Sequence, residues 1–187
     1  MTFIRESIVT TRNADGSAHI APMGIHELDT HLIIAPFRPS TTLLNLERDG
    51  AACINYSDDV RIYAGCVTGR YQWPVRDSET LVAPRLENCL AHSEVTVERI
   101  EHDEQRPRFY CRLVHEVNHA PFHGFNRSQN AVLEAAILVT RLSMLPAEKI
   151  ERELEYLQIA IDKTAGTREL EAWDWLMQAI DQHRTQS

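Results

Sequence analysis

The sequence predicts a β-rich α+β protein, with an antiparallel sheet in the first two thirds of the chain and helices in the last third. Before residue 120, apolar and polar residues alternate in several short segments, as in half-buried strands. The Asp15-Gly16 pair between two of these segments is typical of a hairpin turn. After Phe125 the apolar residues recur at helical spacing. We therefore expect a sheet domain at residues 1–125 and a helical extension at residues 126–187, packed on the sheet domain or on a partner subunit.

The strand pattern occurs in six segments. They are Ser7–Thr11, Ser17–Met23, His31–Pro36, Ala51–Tyr56, Ser93–Ile100 and Phe109–Val117. The fourth is almost continuously apolar, which predicts a central strand, and the polar loop His102–Pro107 makes the last two a hairpin. We expect a turn at Leu28–Thr30 and a long loop at Tyr71–Asn88, where no period is sustained. Loops of this length often border a site.

Capping residues indicate where the helices begin and end. Leu43, Leu44 and Leu46 form the apolar side of a short helix that ends at Gly50. We expect a second short helix at Asp58–Val67, with Asp58 as its cap, and a longer one at Ser128–Leu142. A further helix has Pro146 in its first turn. Thr167 caps the last helix, whose apolar residues are Leu170, Trp173, Leu176 and Ile180.

Composition and charge limit the partners of the protein. The net charge of −8 and the absence of any run of basic residues argue against nucleic-acid binding. No apolar run approaches the roughly 20 residues of a membrane span, and the N-terminus does not read as a signal peptide, so we expect a cytoplasmic protein. The four cysteines, Cys53, Cys66, Cys89 and Cys111, are scattered, which predicts buried free thiols.

The segment Ala35–Asn45 places a cation and three hydroxyls where a strand gives way to a helix. We call Arg38, Ser40, Thr41 and Thr42 the phosphate cradle. At a helix N-terminus, unpaired backbone N–H groups and the helix dipole favour an anion. The alternative is that Ser40 or Thr41 only caps the helix, although a cap needs one hydroxyl.

Three further places carry candidate ligand contacts. Ala21–Gly24 (Ala21, Pro22, Met23 and Gly24) is expected to end a strand, where free backbone groups can face a flat heterocycle and Gly24 allows close approach; a plain strand end is the alternative. Asn55, a lone polar residue on an apolar strand, can bind a ligand or, more commonly, a neighbouring loop. Arg127 can reach a ligand or a partner subunit, or pair with Glu134.

The segment His115–His119 matches the H-E-x-x-H motif of zinc proteases. That motif requires a helix with both histidines on one face, whereas this segment continues a strand and is followed by Pro121. In a strand Glu116 points away from the face that the two histidines share. We therefore expect no metal, and keep as an alternative a zinc hydrolase that uses His115 and His119, with His123 as a third ligand.

The order of these segments resembles the FMN-binding split barrel, the fold of flavin reductases and pyridoxamine-phosphate oxidase-like proteins. More closely, it resembles a family of uncharacterised flavoproteins from methanogens and from methylotrophs that use tetrahydromethanopterin. The matching stretches are Glu6–Thr11, Asp15-Gly16, Ala21–Gly24, Phe37–Thr42 with Asn45, Asn55, Phe125–Arg127, Glu134 and Thr140-Arg141. They span about the first 140 residues. The cradle lacks the lysine common in flavin reductases.

This resemblance implies a six-stranded antiparallel Greek-key split barrel that forms a homodimer, with one FMN per subunit near the interface. It implies that the phosphate cradle holds the FMN phosphate, that Asn45 supports the cradle, and that Ala21–Gly24 lines the isoalloxazine. Asn55 and Arg127 are included as further cofactor contacts. The implied function is an FMN-dependent oxidoreductase that acts on a small heterocyclic or pterin-like substrate, with NAD(P)H as a candidate donor. A non-catalytic FMN carrier or sensor is the first alternative, and the zinc hydrolase is the second.

Overall fold

The structure, a computed structural model, describes residues 3–28 and 30–186. Its chain divides into two compact units. The barrel unit contains the described residues up to Ser57 and Gln72–Phe122, and the helical unit contains Asp58–Tyr71 and the described residues from His123 on. The sequence pattern places Asp58–Tyr71 in the sheet domain. This segment belongs with the helices because Val60 and Ala64 are buried in the helical core.

The barrel unit combines one helix with eight strands in the described residues. They are β1 (Phe3–Arg12), β2 (Ala18–Leu28), β3 (His31–Ile34), α1 (Thr41–Asp49), β4 (Ala51–Tyr56), β5 (Val75–Arg76), β6 (Arg85–Leu86), β7 (Ala91–Glu101) and β8 (Arg108–Asn118). Six strands close an antiparallel barrel in the order β1-β2-β3-β8-β7-β4. Because β4 returns beside β1, the first four strands have Greek-key order. This confirms the six-stranded barrel.

The barrel core is apolar and is sealed on one side by α1. Its buried members are Val9, Ile25, Ile34, Leu43, Leu46, Ala52, Ile54, Val95, Phe109 and Cys111. On α1, Leu43 and Leu46 face this core, but Leu44 is 64% exposed, so its expected place on the apolar side is wrong. A step of about 100° per residue turns Leu44 away from its neighbours.

Two strand boundaries differ from the expected ones. β2 continues past Gly24 to Leu28, because Gly24 pairs with Glu6 in the β1–β2 ladder. The expected loop Tyr71–Asn88 contains the short antiparallel pair β5–β6. The turn expected at Leu28–Thr30 includes Asp29, which lies outside the described residues.

The helical unit packs helices around its own apolar core. Its described helices are α2 (Arg61–Val67), α3 (Arg127–Val139), α4 (Ala147–Thr164) and α5 (Thr167–Gln186). Trp173 and Leu176 are buried in this core as expected, whereas Leu170 is 47% exposed. Among the described residues, no helix combines the length and apolarity needed to cross a membrane.

Three helices, α2, α3 and α5, begin close to their expected positions, but side chains other than the expected ones accept N–H groups at their starts. Asn126, rather than Ser128, caps α3 and accepts the Ser128 N–H at 2.8 Å. Glu169 accepts the Gly166 N–H at 3.0 Å at the start of α5, where Thr167 was expected to cap. At α2 the acceptor is Asp59 instead of Asp58. Several polar side chains near a helix start can accept the same backbone N–H groups. The sequence therefore does not show which of them caps the helix, and the capping residue can differ by one or two positions from the expected one.

All four cysteines are buried and free, as expected. Burial raises the pKa of the Cys66 and Cys111 thiols to about 12, so both stay protonated and unreactive at neutral pH.

Candidate functional site

The N-terminus of α1 carries the exposed part of the phosphate cradle. Ser40 caps the helix, and its Oγ accepts the Leu43 N–H at 3.3 Å. Thr41 is the exposed first residue of the helix. Helix geometry leaves the N–H groups of Thr41 and Thr42 without intrahelical acceptors, so they point out of the helix end beside these hydroxyls. The predicted capping and the predicted anion site therefore lie at the same helix end.

Arg38 lies just before the cap, and an acidic residue already neutralises it. Its Nη2 donates to Glu47 Oε1 at 3.2 Å, and its side chain remains 39% exposed. The Arg38 backbone N–H donates to the Gln105 carbonyl at 2.8 Å, which ties the cradle to the β7–β8 loop. An exposed ion pair contributes little to stability, so Arg38 is available for an anion at small cost.

Thr42 and Asn45 hold α1 against the strands. Thr42 is buried, and its Oγ1 lies 3.0 Å from His19 Nε2 on β2. Asn45 is also buried, and its Nδ2 donates to Thr11 Oγ1 at 2.9 Å and to Asn13 Oδ1 at 3.0 Å. Both side chains thus fix where the helix end lies relative to β1 and β2. A direct contact of Thr42 with the phosphate, which the sequence predicts, remains a prediction.

Ala21–Gly24 is half-buried and lies within β2 rather than at its end. Its residues pair with β1, whereas β2 pairs with β3 only at His26–Leu28. Within the described part of the chain, one edge of Ala21–Gly24 therefore has no strand beside it. A Cβ on Gly24 would lie 2.8 Å from Ile4 Cγ2, so a larger residue there would collide with β1.

Asn55 serves a neighbouring loop. It is fully buried; its Nδ2 donates to the Ile8 carbonyl and to Thr10 Oγ1, each at 3.0 Å, and its Oδ1 accepts the Leu86 N–H at 2.7 Å. The amide already uses its donors and its carbonyl oxygen. These contacts favour the loop role that the sequence offered as the more common one, and a contact of Asn55 with a cofactor remains a prediction.

Arg127 is the first residue of α3, in the helical unit. Its contact with a cofactor remains a prediction.

The H-E-x-x-H segment lies at the end of β8, as expected for a strand. Glu116 points to the opposite face, where its Oε2 accepts from Ser93 Oγ at 2.8 Å. His115 Nε2 lies 3.4 Å from Glu79 Oε2, whereas His119 Nε2 lies 2.8 Å from His92 Nδ1. The two histidines therefore have different partners, and the arrangement used by zinc proteases does not form.

Two residues near the cradle were missed by the sequence analysis. Arg106 Nε donates to the Ala35 carbonyl at 2.8 Å, and its guanidinium lies 4.8 Å from the centre of the Phe37 ring. His19 contacts Thr42 as described above. Neither has a local sequence signal, because both contacts join segments that are distant along the chain.

His19 gives the cradle a pH-dependent support. Burial lowers the pKa of His19 below its usual 6.5, so the folded, ligand-free protein favours the neutral ring. The stability that this preference contributes is complete above pH 6.5 and is lost as the pH falls toward the lowered pKa.

In chemical denaturation, we expect wild type to lose more unfolding free energy than His19→Gln between about pH 7.5 and about pH 5.5. Glutamine can still donate to Thr42 but does not titrate, so equal losses would contradict this role.

Comparison with family models matches most of the chain. A model described as "Protein of unknown function (DUF447) N-terminal domain" matches residues 5–120, and one described as "Protein of unknown function (DUF447)" matches residues 126–178. No curated protein is significantly similar in sequence.

Solved structures show the same fold at low identity. The FMN-bound protein MM1853 from Methanosarcina mazei, described with the same family model, has a TM-score of 0.80 at 20% identity over 94% of each chain. A styrene monooxygenase flavin reductase from Pseudomonas putida S12 has a TM-score of 0.53 at 11% identity, covering 62% of this chain and 81% of that chain. An FMN-binding protein from Thermus thermophilus with bound 1-cyclohex-2-enone has a TM-score of 0.53 at 14% identity, covering 63% of this chain and 71% of that chain. The barrel unit therefore has the split-barrel fold.

Proposed function

The chain belongs to the DUF447 family, and from that premise we propose that it is an FMN-binding flavoprotein whose phosphate cradle holds the FMN phosphate. The observation that carries the proposal is the exposed N-terminus of α1, where Arg38, Ser40 and Thr41 surround outward-pointing N–H groups. This donor set suits a phosphate dianion, because helix N–H groups, hydroxyls and a guanidinium are all donors. The FMN-bound state of MM1853 supports the same choice of ligand.

We propose distinct parts for the other residues near the cradle. Thr42 and Asn45 position the N-terminal half of α1 through their bonds to His19 and Thr11. Ala21–Gly24 lines the isoalloxazine, since its half-buried edge without a neighbouring strand can offer backbone donors and acceptors to a flat ring. Arg127 is retained as a further contact.

The proposed reaction is an oxidoreduction of a small heterocyclic, pterin-like substrate, with NAD(P)H as electron donor. Bound FMN would supply hydride and electron transfer, so the protein needs no side-chain nucleophile. The chain's own residues bind the phosphate, orient the ring beside β2 and limit water at its half-buried edge. The flavin reductase among the similar structures favours this reaction over a non-catalytic FMN carrier or sensor.

The two roles are separated by anaerobic titration of the FMN-loaded protein with NADH or NADPH. An oxidoreductase should lose its visible flavin absorption at a rate that saturates with donor concentration. A carrier or sensor should keep its absorption with both nucleotides, while dithionite, as a control, should still bleach it.

We propose that the protein acts as a homodimer. Exposed apolar side chains on three barrel strands support a protein contact on this unit; they are Phe3 and Ile4 on β1, Leu28 on β2, and Leu113 and Val114 on β8. Exposed groups of this kind commonly mark interfaces. Sedimentation equilibrium should give twice the chain mass of 21.4 kDa. A monomer at micromolar concentration would contradict the dimer.

A further inference from the structure

A second group of side chains that can bind a ligand lies on β7 and on the segments just before β7 and just after β8, apart from the elements that carry the cradle. We call Cys89, His92 and His119 the histidine cluster. One ligand atom from each, the cysteine Sγ and a ring nitrogen of each histidine, lies within 4.8 Å of the other two. Cys89 and His92 are buried, and His119 is exposed. The cluster is thus partly enclosed and open at His119.

The backbone brings these residues together from two distant segments. His92 is the second residue of β7, and Cys89 precedes it by three residues. The His119 N–H donates to the Leu90 carbonyl at 2.7 Å, which extends the β7–β8 pairing beyond the end of β8. This hydrogen bond places His119 beside His92, with 2.8 Å between His119 Nε2 and His92 Nδ1. The way β7 pairs with β8 and with the segment after it therefore brings the three residues together.

Two carboxylates orient the His92 ring. His92 Nε2 lies 3.4 Å from Glu94 Oε1 and 3.3 Å from Glu79 Oε2. A carboxylate accepts and does not donate, so Nε2 carries the hydrogen and Nδ1 presents its lone pair to Cys89 and His119. A metal-binding histidine commonly donates its other ring N–H to a carboxylate in this way.

Glu94 is held as a carboxylate although its side chain is fully buried. Its oxygens accept the Glu79 N–H at 2.7 Å, the Thr80 N–H at 2.8 Å and the Thr80 hydroxyl. Burial opposes the charge of a carboxylate, and these three donors compensate it. The Glu94 side chain is therefore fixed as an acceptor for His92 Nε2.

We propose that Cys89 Sγ, His92 Nδ1 and His119 Nε2 bind a zinc ion and leave its fourth position to water. One thiolate and two imidazoles are ligands that Zn²⁺ prefers, and three protein ligands with an open position are typical of reactive zinc sites. Bond lengths of about 2.0–2.3 Å place tetrahedral ligand atoms roughly 3–4 Å apart, which small side-chain shifts provide here. The site differs from the zinc-protease motif, because it uses His119 but not His115, and it revises the expectation that the protein holds no metal.

Charge and proton balance agree with a divalent cation. The Cys89 thiolate and the carboxylates of Glu79 and Glu94 would offset both Zn²⁺ and the nearby Arg85. Zinc binds the thiolate form of cysteine, so the Cys89 thiol proton is released to solvent when the metal binds. His119 binds after its proton moves from Nε2 to Nδ1, which its exposure to water allows.

A competing group of ligands lies next to the cluster but is less suited to a metal. Glu79, Glu94 and His115 also bring one ligand atom each within 4.8 Å of the others. However, Glu94 already accepts three hydrogen bonds, which a metal would have to replace. His115 lies outside the histidine cluster and, like His119, near the end of β8. His115→Ala is therefore the matched control for His119→Ala.

The test is equilibrium dialysis of the FMN-loaded protein against Zn²⁺, followed by elemental analysis. Wild type and His115→Ala should each retain one zinc per chain. Cys89→Ser and His119→Ala should each bind at least tenfold more weakly, and Glu94→Gln about 10- to 100-fold more weakly. Dialysis against Co²⁺ should give wild type long-wavelength d–d bands beyond flavin absorption, with a thiolate charge-transfer band that Cys89→Ser lacks.

Two results would overturn the site. One is wild-type zinc binding no tighter than that of His119→Ala, a variant at an exposed residue that should fold normally. The other is a loss in His115→Ala as large as the loss in His119→Ala. The zinc readout does not depend on flavin chemistry, so the site stands or falls independently of the proposed function.

Discussion

Replacing Arg38 and Ser40 together with alanine is expected to weaken FMN binding by roughly a hundredfold to ten-thousandfold. A hydrogen bond to a charged group contributes about 1.5–3 kcal/mol, and the double variant removes two such donors to the phosphate. Both side chains are at the open end of α1 rather than in the barrel core, so the fold should persist. Titration of FMN fluorescence gives the dissociation constant, and far-ultraviolet circular dichroism monitors the fold.

Two control variants separate phosphate binding from local stability. Ser40 also caps α1, so its loss costs about 1 kcal/mol; Ser40→Asn keeps a capping acceptor and isolates this cost. Glu47→Gln removes the ion-pair partner of Arg38 and should leave FMN affinity equal or higher, because the guanidinium is then freer to meet the phosphate. Unchanged FMN affinity in the double alanine variant would rule out the assigned cradle.

Asn55→Ala is expected to destabilise the barrel unit by about 3 kcal/mol, the largest effect on stability that we predict. The change leaves the buried Leu86 N–H and the Ile8 carbonyl without their partners, and each unsatisfied buried group costs about 1–3 kcal/mol. It also leaves a small cavity beside β4. Chemical denaturation followed by tryptophan fluorescence measures the loss.

The same variant decides between the two roles considered for Asn55. At a temperature where the variant is folded, its FMN affinity should equal that of wild type. Thr96→Ala on the neighbouring β7, outside this amide network, controls for a general effect of truncating a barrel residue. A loss of FMN affinity with unchanged stability would instead show that Asn55 contacts the cofactor.

Local patterns predicted most of the barrel. The alternation in Ser7–Thr11, the apolar run Ala51–Tyr56 and the Asp15-Gly16 turn reflect forces between residues near in sequence. The same holds for α1, whose cap at Ser40 and left-handed C-cap at Gly50 both lie within the helix's own segment. Such elements can be located without knowledge of the tertiary fold.

What the sequence did not show depends on contacts between distant segments. The partner of Asn55 is Leu86, and the partner of Thr42 is His19 on another strand. The histidine cluster joins Cys89 and His92 to His119 through the β7–β8 register, including an irregularity between Glu94 and Val95. A one-residue change in register would turn His115 and His119 to the other face, and sequence alone does not fix the register that closely.

The visible absorption spectrum of the purified protein, saturated with FMN and then desalted, tests the central claim most directly. We predict flavin bands corresponding to one FMN per chain, retained by wild type and reduced in the Arg38→Ala, Ser40→Ala double variant. A protein that emerges colourless from the desalting column, although folded by circular dichroism, would contradict the proposed flavin site.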